Sequence, residues 1–140
     1  MNKNAEIVII EDDVDDRLIL SDIFDELNYA NEVLFFENGI LALEYLNRPE
    51  VHPFLILSDL NLPLINGFEI RKRIFENKQI SSKCIPYLFF TTSVQQKAVI
   101  DAYSLSVQGF LVKPITIKEL KDTIQTIIAY WKCCFAPNNL

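Results

Sequence analysis

Ile7-Val8-Ile9-Ile10-Glu11-Asp12-Asp13 is a short apolar run that ends on three acids. A run without alternating polar residues predicts a strand that is covered on both faces, as in a parallel sheet. It is far shorter than the roughly 20 residues that a membrane-spanning helix needs. It also lacks the features of a signal peptide, because it closes directly on acidic residues. The segment therefore predicts a buried strand with carboxylates at its carboxyl end.

The same pattern recurs along the chain. With the first strand set at Glu6–Ile10, similar apolar runs predict strands at Phe54–Leu57, Tyr87–Phe90 and Phe110–Val112. A fifth strand is predicted at Glu32–Phe36, and its more polar flanks place it nearer an edge. Apolar residues at helical spacing predict five helices, at Leu18–Leu27, Ile40–Leu46, Phe68–Phe75, Val94–Leu105 and Ile117–Trp131. Before the last helix, Thr116 and Glu119 have the spacing of a capping box.

Five alternating strands and helices indicate an α/β fold. Right-handed crossovers with helices on both faces predict a doubly wound, flavodoxin-like (βα)5 three-layer sandwich with parallel strand order 2-1-3-4-5. The 140 residues are predicted to form a single domain, with a core from about 6 to 131 and a short C-terminal tail.

Composition narrows the functions to be considered. The net charge is −6, and a surface built for nucleic acid carries an excess of Lys and Arg, so neither a duplex nor an anionic membrane is expected as a partner. The cysteines are Cys84, Cys133 and Cys134, and an odd count with one adjacent pair is a poor disulfide framework. They predict reduced thiols in a cytoplasmic protein. The 3 glycines cannot form the glycine-rich loops of two common nucleotide-binding motifs.

Polar side chains follow four of the predicted strands. They are Glu11-Asp12-Asp13, Ser58-Asp59, Thr91-Thr92-Ser93 and Lys113-Pro114. Because parallel strands end at one edge of the sheet, we expect these carboxylates, hydroxyls and the ammonium group to converge there. Neighbouring carboxylates repel one another unless a cation intervenes, and hard oxygen ligands favour Mg²⁺ or Mn²⁺ over zinc.

Taken in order, these motifs resemble the receiver domain of response regulators. The matching segments cover nearly the whole chain: Ile7–Asp13, Leu57–Phe68, Phe90–Thr92 and Gly109–Pro114. The resemblance leaves no length for an output domain, which predicts a stand-alone regulator similar in layout to the chemotaxis regulator. The ending Ile127–Trp131 is also similar to single-domain regulators paired with cyanobacterial phytochromes.

The resemblance implies a role for each matched residue. Asp59 would accept a phosphoryl group from a histidine kinase or phosphotransfer protein, and the signal would pass on by contact with a downstream protein. The metal ligands implied are Glu11, Asp12, Asp59 and the backbone carbonyl of Asn61. The remaining roles are the switch hydroxyl Thr91, the phosphoryl-binding Lys113, the aromatic switch Phe110, a cis bond at Pro114, and Ser93, which with Asn61 tunes hydrolysis.

The fourth predicted helix is more apolar than one core-facing stripe requires. Its additional residues are Val99, Ile100 and Tyr103. A wide core face with scattered surface apolar residues would explain them. We favour the other interpretation, in which the fourth helix, fifth strand and fifth helix form a surface for a partner or for a second copy of the chain.

Two other functions are compatible with parts of the pattern. A phosphatase or phosphotransferase of the haloacid dehalogenase type also uses a nucleophilic Asp, magnesium and Lys, but it needs a second Asp where this chain has Asn61. A receiver-like domain that no longer accepts phosphate would bind only protein. The intact set of Glu11, Asp12, Asp59, Thr91 and Lys113 argues against that reading.

Overall fold

The computed structural model describes residues 3–92 and 95–135. Its strands are β1 (Ile7–Ile10), β2 (Val33–Phe36), β3 (Leu55–Ser58), β4 (Tyr87–Thr91) and β5 (Gly109–Val112). Its helices are α1 (Val14–Leu27), α2 (Gly39–Leu46), α3 (Gly67–Glu76), α4 (Lys78–Ser81), α5 (Gln96–Ser104) and α6 (Ile117–Cys133). Every predicted strand is present, and each of its ends lies within one residue of the predicted one.

The strands form one parallel sheet in the order β2-β1-β3-β4-β5, which confirms the predicted topology. Alternate residues of β1 enter two separate cores. Ile7 and Ile9 pack with α1 and α6 on one face, whereas Val8 and Ile10 pack with α2, α3 and α5 on the other. Burial on both faces explains why the strand is apolar throughout. The sheet is thus the middle layer of three.

Two features differ from the sequence predictions. β5 is only partly buried along its length, because it is an edge strand with β4 as its sole neighbour in the sheet. A short helix, α4, follows α3 directly, so the predicted fourth and fifth helices are α5 and α6. The predicted start of the fourth helix at Val94 lies outside the described residues. Within residues 3–92 and 95–135, no helix is long and apolar enough to cross a bilayer.

Side-chain caps fix where the helices begin. Asp13 is the N-cap of α1 and accepts a hydrogen bond from the Asp16 backbone N–H at 3.0 Å. Thr116 caps α6 in the same way, accepting from the Glu119 N–H at 3.2 Å, as the capping-box spacing predicts. The cap on α1 starts the helix immediately after the acidic end of β1.

A buried lysine closes the carboxyl end of α2. Lys83 is 8% exposed, and its Nζ donates to the carbonyl oxygens of Leu46 at 2.6 Å and Arg48 at 2.7 Å. Burial lowers the pKa of this ammonium group. The carbonyls at a helix end carry partial negative charge, which compensates the buried cation. Lys83 therefore joins the segment before β4 to the far end of α2.

Lys83→Met is expected to lower the free energy of unfolding by about 1 to 3 kcal/mol, because both carbonyls lose a charged donor. Urea unfolding followed by circular dichroism measures this loss. Lys78→Met on α4 is the matched control, since Lys78 is exposed and its replacement should change stability by less than about 0.5 kcal/mol. Equal midpoints for the two variants would show that the buried contacts contribute no net stability.

Candidate functional site

The carboxyl ends of β1 and β3 bring the acids together. Ile10 is the register partner of Ser58, so Glu11 and Asp59 leave the sheet side by side. The Asp59 N–H donates to the Ile10 carbonyl at 3.0 Å, which continues the strand pairing by one residue. One carboxylate oxygen from each of Glu11, Asp12 and Asp59 lies within 4.8 Å of the others. The predicted convergence of three carboxylates is confirmed.

Lys113 supplies the ammonium group of this cluster. Its side chain is 8% exposed, and its Nζ donates to Glu11 Oε1 and lies 3.5 Å from Asp59 Oδ2. A third carboxylate oxygen, Asp16 Oδ2, lies 3.4 Å away. Burial alone would lower the pKa of Lys113, but the hydrogen bond and charge of Glu11 and the charges of Asp59 and Asp16 raise it. Lys113 is therefore a cation shared by three acids.

The two oxygens of the Asp59 carboxylate have different surroundings. Oδ1 accepts a hydrogen bond from the Leu60 N–H at 2.6 Å, whereas Oδ2 faces Lys113. The side chain is 14% exposed. Gly67, at the start of α3, packs against the backbone here: its N–H donates to the Leu60 carbonyl at 2.8 Å, and a Cβ on it would lie 2.5 Å from the Asp59 carbonyl oxygen. The backbone around Asp59 is thus held in place from several directions.

Thr91 and Phe110 lie on the neighbouring strands. Thr91 is the fully buried last residue of β4, and its carbonyl accepts from the Lys113 N–H at 2.8 Å. Phe110, on β5, is half-buried and packs its ring against Phe89 with centroids 5.8 Å apart. Thr91 therefore ends the strand next to β5, and Phe110 lies on β5 itself, three residues before Lys113. Their switch roles stay predictions.

Glu11 is the most deeply buried acid of the cluster. It is 2% exposed, and burial raises its pKa to about 7 despite the opposing hydrogen bond and charge of Lys113. Its second oxygen, Oε2, is buried and has no hydrogen-bond partner in the part of the chain that the structure describes. A buried carboxylate oxygen without a donor suits a cation. The acidic cluster thus has the donor set of a divalent-metal site made of hard oxygens.

One site prediction is wrong. The Lys113–Pro114 bond is trans, as is every other peptide bond of the described residues. The trans form is the intrinsically favoured one by about 0.5 to 1 kcal/mol, and Lys113 reaches Glu11 and Asp59 in it without further adjustment.

The other predicted residues are placed as follows. Asn61 is exposed, two residues beyond Asp59, and Ser93 lies outside the described residues. On α5, Ile100 is 60% exposed and Tyr103 is 52% exposed, whereas Val99 is half-buried. The exposure of Ile100 and Tyr103 is compatible with the predicted contact surface, which stays a prediction.

Two contributors to the site were not predicted. An acid in the first turn of a helix is usually explained by the favourable charge at the helix start, yet Asp16 also lies 3.4 Å from Lys113 Nζ. Arg17 donates from Nη1 to the Glu11 carbonyl at 2.8 Å and so holds the turn between β1 and α1. Both residues lie in the first turn of α1, and a helix that starts at the rim of a sheet must present its first turn to that rim. The early N-cap Asp13 was the available signal.

Comparison with known proteins agrees with this geometry. The family model for the response regulator receiver domain matches residues 7–125. Response regulator Rcp1 from Synechocystis is 32% identical over 132 residues, covering 89% of this chain and 87% of that protein. Chemotaxis protein CheY-3 from Vibrio cholerae is 28% identical over 127 residues, covering 91% of this chain and 94% of that protein.

Solved structures give the same result. The phosphorylated cyanobacterial phytochrome response regulator RcpA superposes with a TM-score of 0.85 at 25% identity, covering 94% of this chain and 97% of that one. The Mn²⁺-bound form of Rcp1 superposes with a TM-score of 0.82 at 28% identity, covering 96% and 99%. Both resemblances stated from the sequence, to chemotaxis regulators and to phytochrome-paired regulators, are confirmed.

Proposed function

The chain belongs to the response-regulator receiver family, and on that premise we propose that Asp59 accepts a phosphoryl group from a histidine kinase or a phosphotransfer protein. The phosphorylated chain then signals by contact with a downstream protein. The observation that carries this proposal is the position of Asp59, whose carboxylate lies between Lys113 and the acids at the end of β1.

The geometry supports attack by one oxygen of Asp59. The Leu60 N–H binds Oδ1 and so fixes the rotation of the carboxylate. A lone pair of the Asp59 carboxylate forms the new O–P bond while the P–N bond to the donor histidine breaks, and the imidazole leaves with the electron pair. Such transfer depends on positioning and on neutralising the charge of the phosphoryl oxygens. Lys113, 3.5 Å from Oδ2, is the cation placed to bind one of them.

The metal that we propose is Mg²⁺, with Mn²⁺ as a substitute. Glu11, Asp12 and Asp59 would hold it, and the carbonyl of Asn61 is a fourth candidate ligand. The orphaned Oε2 of Glu11 and the close approach of the three carboxylates support this assignment. When bound, the ion supplies positive charge that offsets the acids and the incoming phosphoryl oxygens. The related Rcp1 has a structure described as its Mn²⁺-bound form.

Phosphorylation of Asp59 is expected to change the contacts among the charged groups at the carboxyl ends of the strands. The new oxygens need donors, and Lys113 is already bound by Glu11 and Asp16, so its contacts must be redistributed. Thr91 is the hydroxyl at the end of β4 that we propose binds another phosphoryl oxygen. Movement there is passed to β5 through Phe110, which packs on Phe89 of β4. The exposed Ile100 and Tyr103 make α5 the proposed contact surface, with β5 and α6, for a partner or a second copy.

The direct test is incubation of the chain with acetyl phosphate and Mg²⁺, followed by intact-mass measurement. Gain of one phosphoryl group supports the proposal. A folded chain that gains none would instead be a receiver-like protein that only binds partners. Sustained hydrolysis of an added phosphomonoester would point to the haloacid dehalogenase type of chemistry.

Mg²⁺ is expected to stabilise the fold. At ten times its Kd, an ion that binds only the folded chain raises the free energy of unfolding by about 1.4 kcal/mol. Thermal unfolding with and without MgCl₂ measures the increase. Asp12→Asn should remove most of it, and without Mg²⁺ this variant should be at least as stable as the parent, because one repulsive carboxylate is gone.

Asp15→Asn is the matched control, since Asp15 is an exposed acid three residues after Asp12 that lies outside the three-carboxylate cluster. It should keep the full response to Mg²⁺. An equal loss of response in Asp12→Asn and Asp15→Asn would mean that the ion acts only by screening the general negative charge.

A further inference from the structure

Whereas Asp59 lies at the carboxyl end of β3, a cavity lies at the amino ends of β4 and β5. Its volume is about 520 Å³, within the range of about 300 to 1,000 Å³ typical of small-molecule sites. Two of its lining residues, Pro86 and Gln108, directly precede β4 and β5, so the cavity opens at the amino ends of these strands. Nothing in the proposed phosphoryl transfer uses this space.

The walls of the cavity are mainly apolar and aromatic. They include Ile74 and Phe75 from α3, Ile80 from α4, and Trp131 from α6. Phe135, beyond α6, is 77% exposed and completes the rim. A ligand with an aromatic or aliphatic body would bury these surfaces and gain the corresponding hydrophobic free energy.

Besides the polar side chains of Ser81 and Gln108, the lining of the cavity includes one charged side chain, Arg71. The residue is 7% exposed, and its Nε and Nη2 donate to the carbonyls of Leu105 and Ser106, each at 2.9 Å. Its charged plane also lies over the ring of Tyr87, 5.4 Å from the centroid. Within residues 3–92 and 95–135, no carboxylate pairs with Arg71, and Nη1 makes no hydrogen bond. A buried cation with two carbonyl partners keeps an uncompensated positive charge at the cavity wall.

We propose that this cavity binds a small amphipathic carboxylate, with its carboxylate at Arg71 Nη1 and its apolar body against Phe75 and Trp131. The charge of Arg71 selects the anion, and the aromatic walls select the body. For a ligand of about a dozen heavy atoms, a Kd on the order of 1 mM is expected.

Two free thiols offer a direct measure of occupancy. Cys84, which is exposed, and Cys134, which is half-buried, line the cavity, whereas the exposed Cys133 does not. Phenylbutyrate at a saturating concentration is expected to slow the alkylation of Cys84 and Cys134 by iodoacetamide about fivefold or more, since bound ligand blocks access in proportion to occupancy. Peptide mass spectrometry of the same sample measures the alkylation of Cys133, whose rate should be the same with and without phenylbutyrate. Phenylbutanamide, which has the same shape without the charge, should protect about tenfold more weakly.

Two variants test the site itself. Ser81→Trp places a large ring at the exposed rim of the cavity and should abolish protection without touching Arg71. Arg71→Gln should weaken protection about tenfold, the effect of one hydrogen bond to a charged group. In Asp59→Asn, phenylbutyrate should protect Cys84 and Cys134 as strongly as in the parent chain. This result would separate the cavity proposal from the proposed phosphorylation of Asp59. The proposal would be overturned if phenylbutyrate left the alkylation rates of Cys84 and Cys134 in the parent chain unchanged. Equal protection by phenylbutyrate and phenylbutanamide would also overturn it.

Discussion

Asp59→Asn is expected to abolish phosphoryl gain from acetyl phosphate and Mg²⁺, whereas the parent chain gains one phosphoryl group. Asparagine has nearly the same shape and can still accept the Leu60 N–H at its side-chain oxygen, so the fold around residue 59 is preserved. It lacks the anionic oxygen that would attack phosphorus. Intact-mass spectrometry after a fixed incubation measures the result, and circular dichroism confirms that the variant is folded.

Asp15→Asn serves as the control for loss of an acid near the site. Asp15 is exposed in the first turn of α1 and lies outside the carboxylate cluster, so its variant should be phosphorylated like the parent. If Asp59→Asn still gains a phosphoryl group, another residue must be the acceptor, and Asp12 and Glu11 are the next candidates.

Gly67→Ala is expected to cost about 1 to 3 kcal/mol of stability and to slow phosphorylation of Asp59. A Cβ at this position would lie 2.5 Å from the Asp59 carbonyl oxygen and 2.7 Å from the Phe89 ring. Backbone cannot yield as a side chain can, so the turn after β3 must shift and carry Asp59 with it. Displacement of a reacting group by about 1 Å can reduce a rate about 100-fold. Urea unfolding and the initial rate of mass gain measure the two effects.

Gly109→Ala is the matched comparison. Its added Cβ would lie 2.8 Å from Leu88 Cδ2, the end of a flexible side chain that can rotate away. We expect a stability loss below about 1 kcal/mol and little change in phosphorylation rate. A rate in Gly67→Ala that equals the rate in Gly109→Ala would show that the turn tolerates displacement, and that positioning of Asp59 depends on other contacts.

The strands could be predicted closely from sequence because burial on both faces leaves a strong signal. Ile7–Ile10 enters two cores at alternate residues, so a polar side chain at any of these positions would be buried. The partial exposure of β5 was missed for a related reason. Its residues are as apolar as those of a central strand, and only the topology makes it an edge.

Of the structural features described, buried charged side chains are the ones that hydrophobic periodicity predicts least well. Lys83 and Arg71 occupy positions that a local pattern assigns to the surface, and only tertiary structure shows that carbonyl groups receive them. Asp16 shows the same limit within the site. Its position suits a helix start, but its approach to Lys113 depends on how the first turn of α1 lies relative to the segment after β5. The trans bond at Pro114 corrects an expectation that came from resemblance alone.

Lys113 connects the acids Glu11 and Asp59 to Asp16 in the first turn of α1. It follows β5, and Asp16 belongs to α1, which packs with α6 on the face of the sheet opposite α2 and α3. Any event that draws the ammonium group toward residue 59 must loosen its contact with Asp16. The contacts of the first turn of α1 would therefore change with the proposed phosphorylation of Asp59. Under the proposed phosphorylation, this turn would be a second surface, besides α5, on which the state of Asp59 could be recognised.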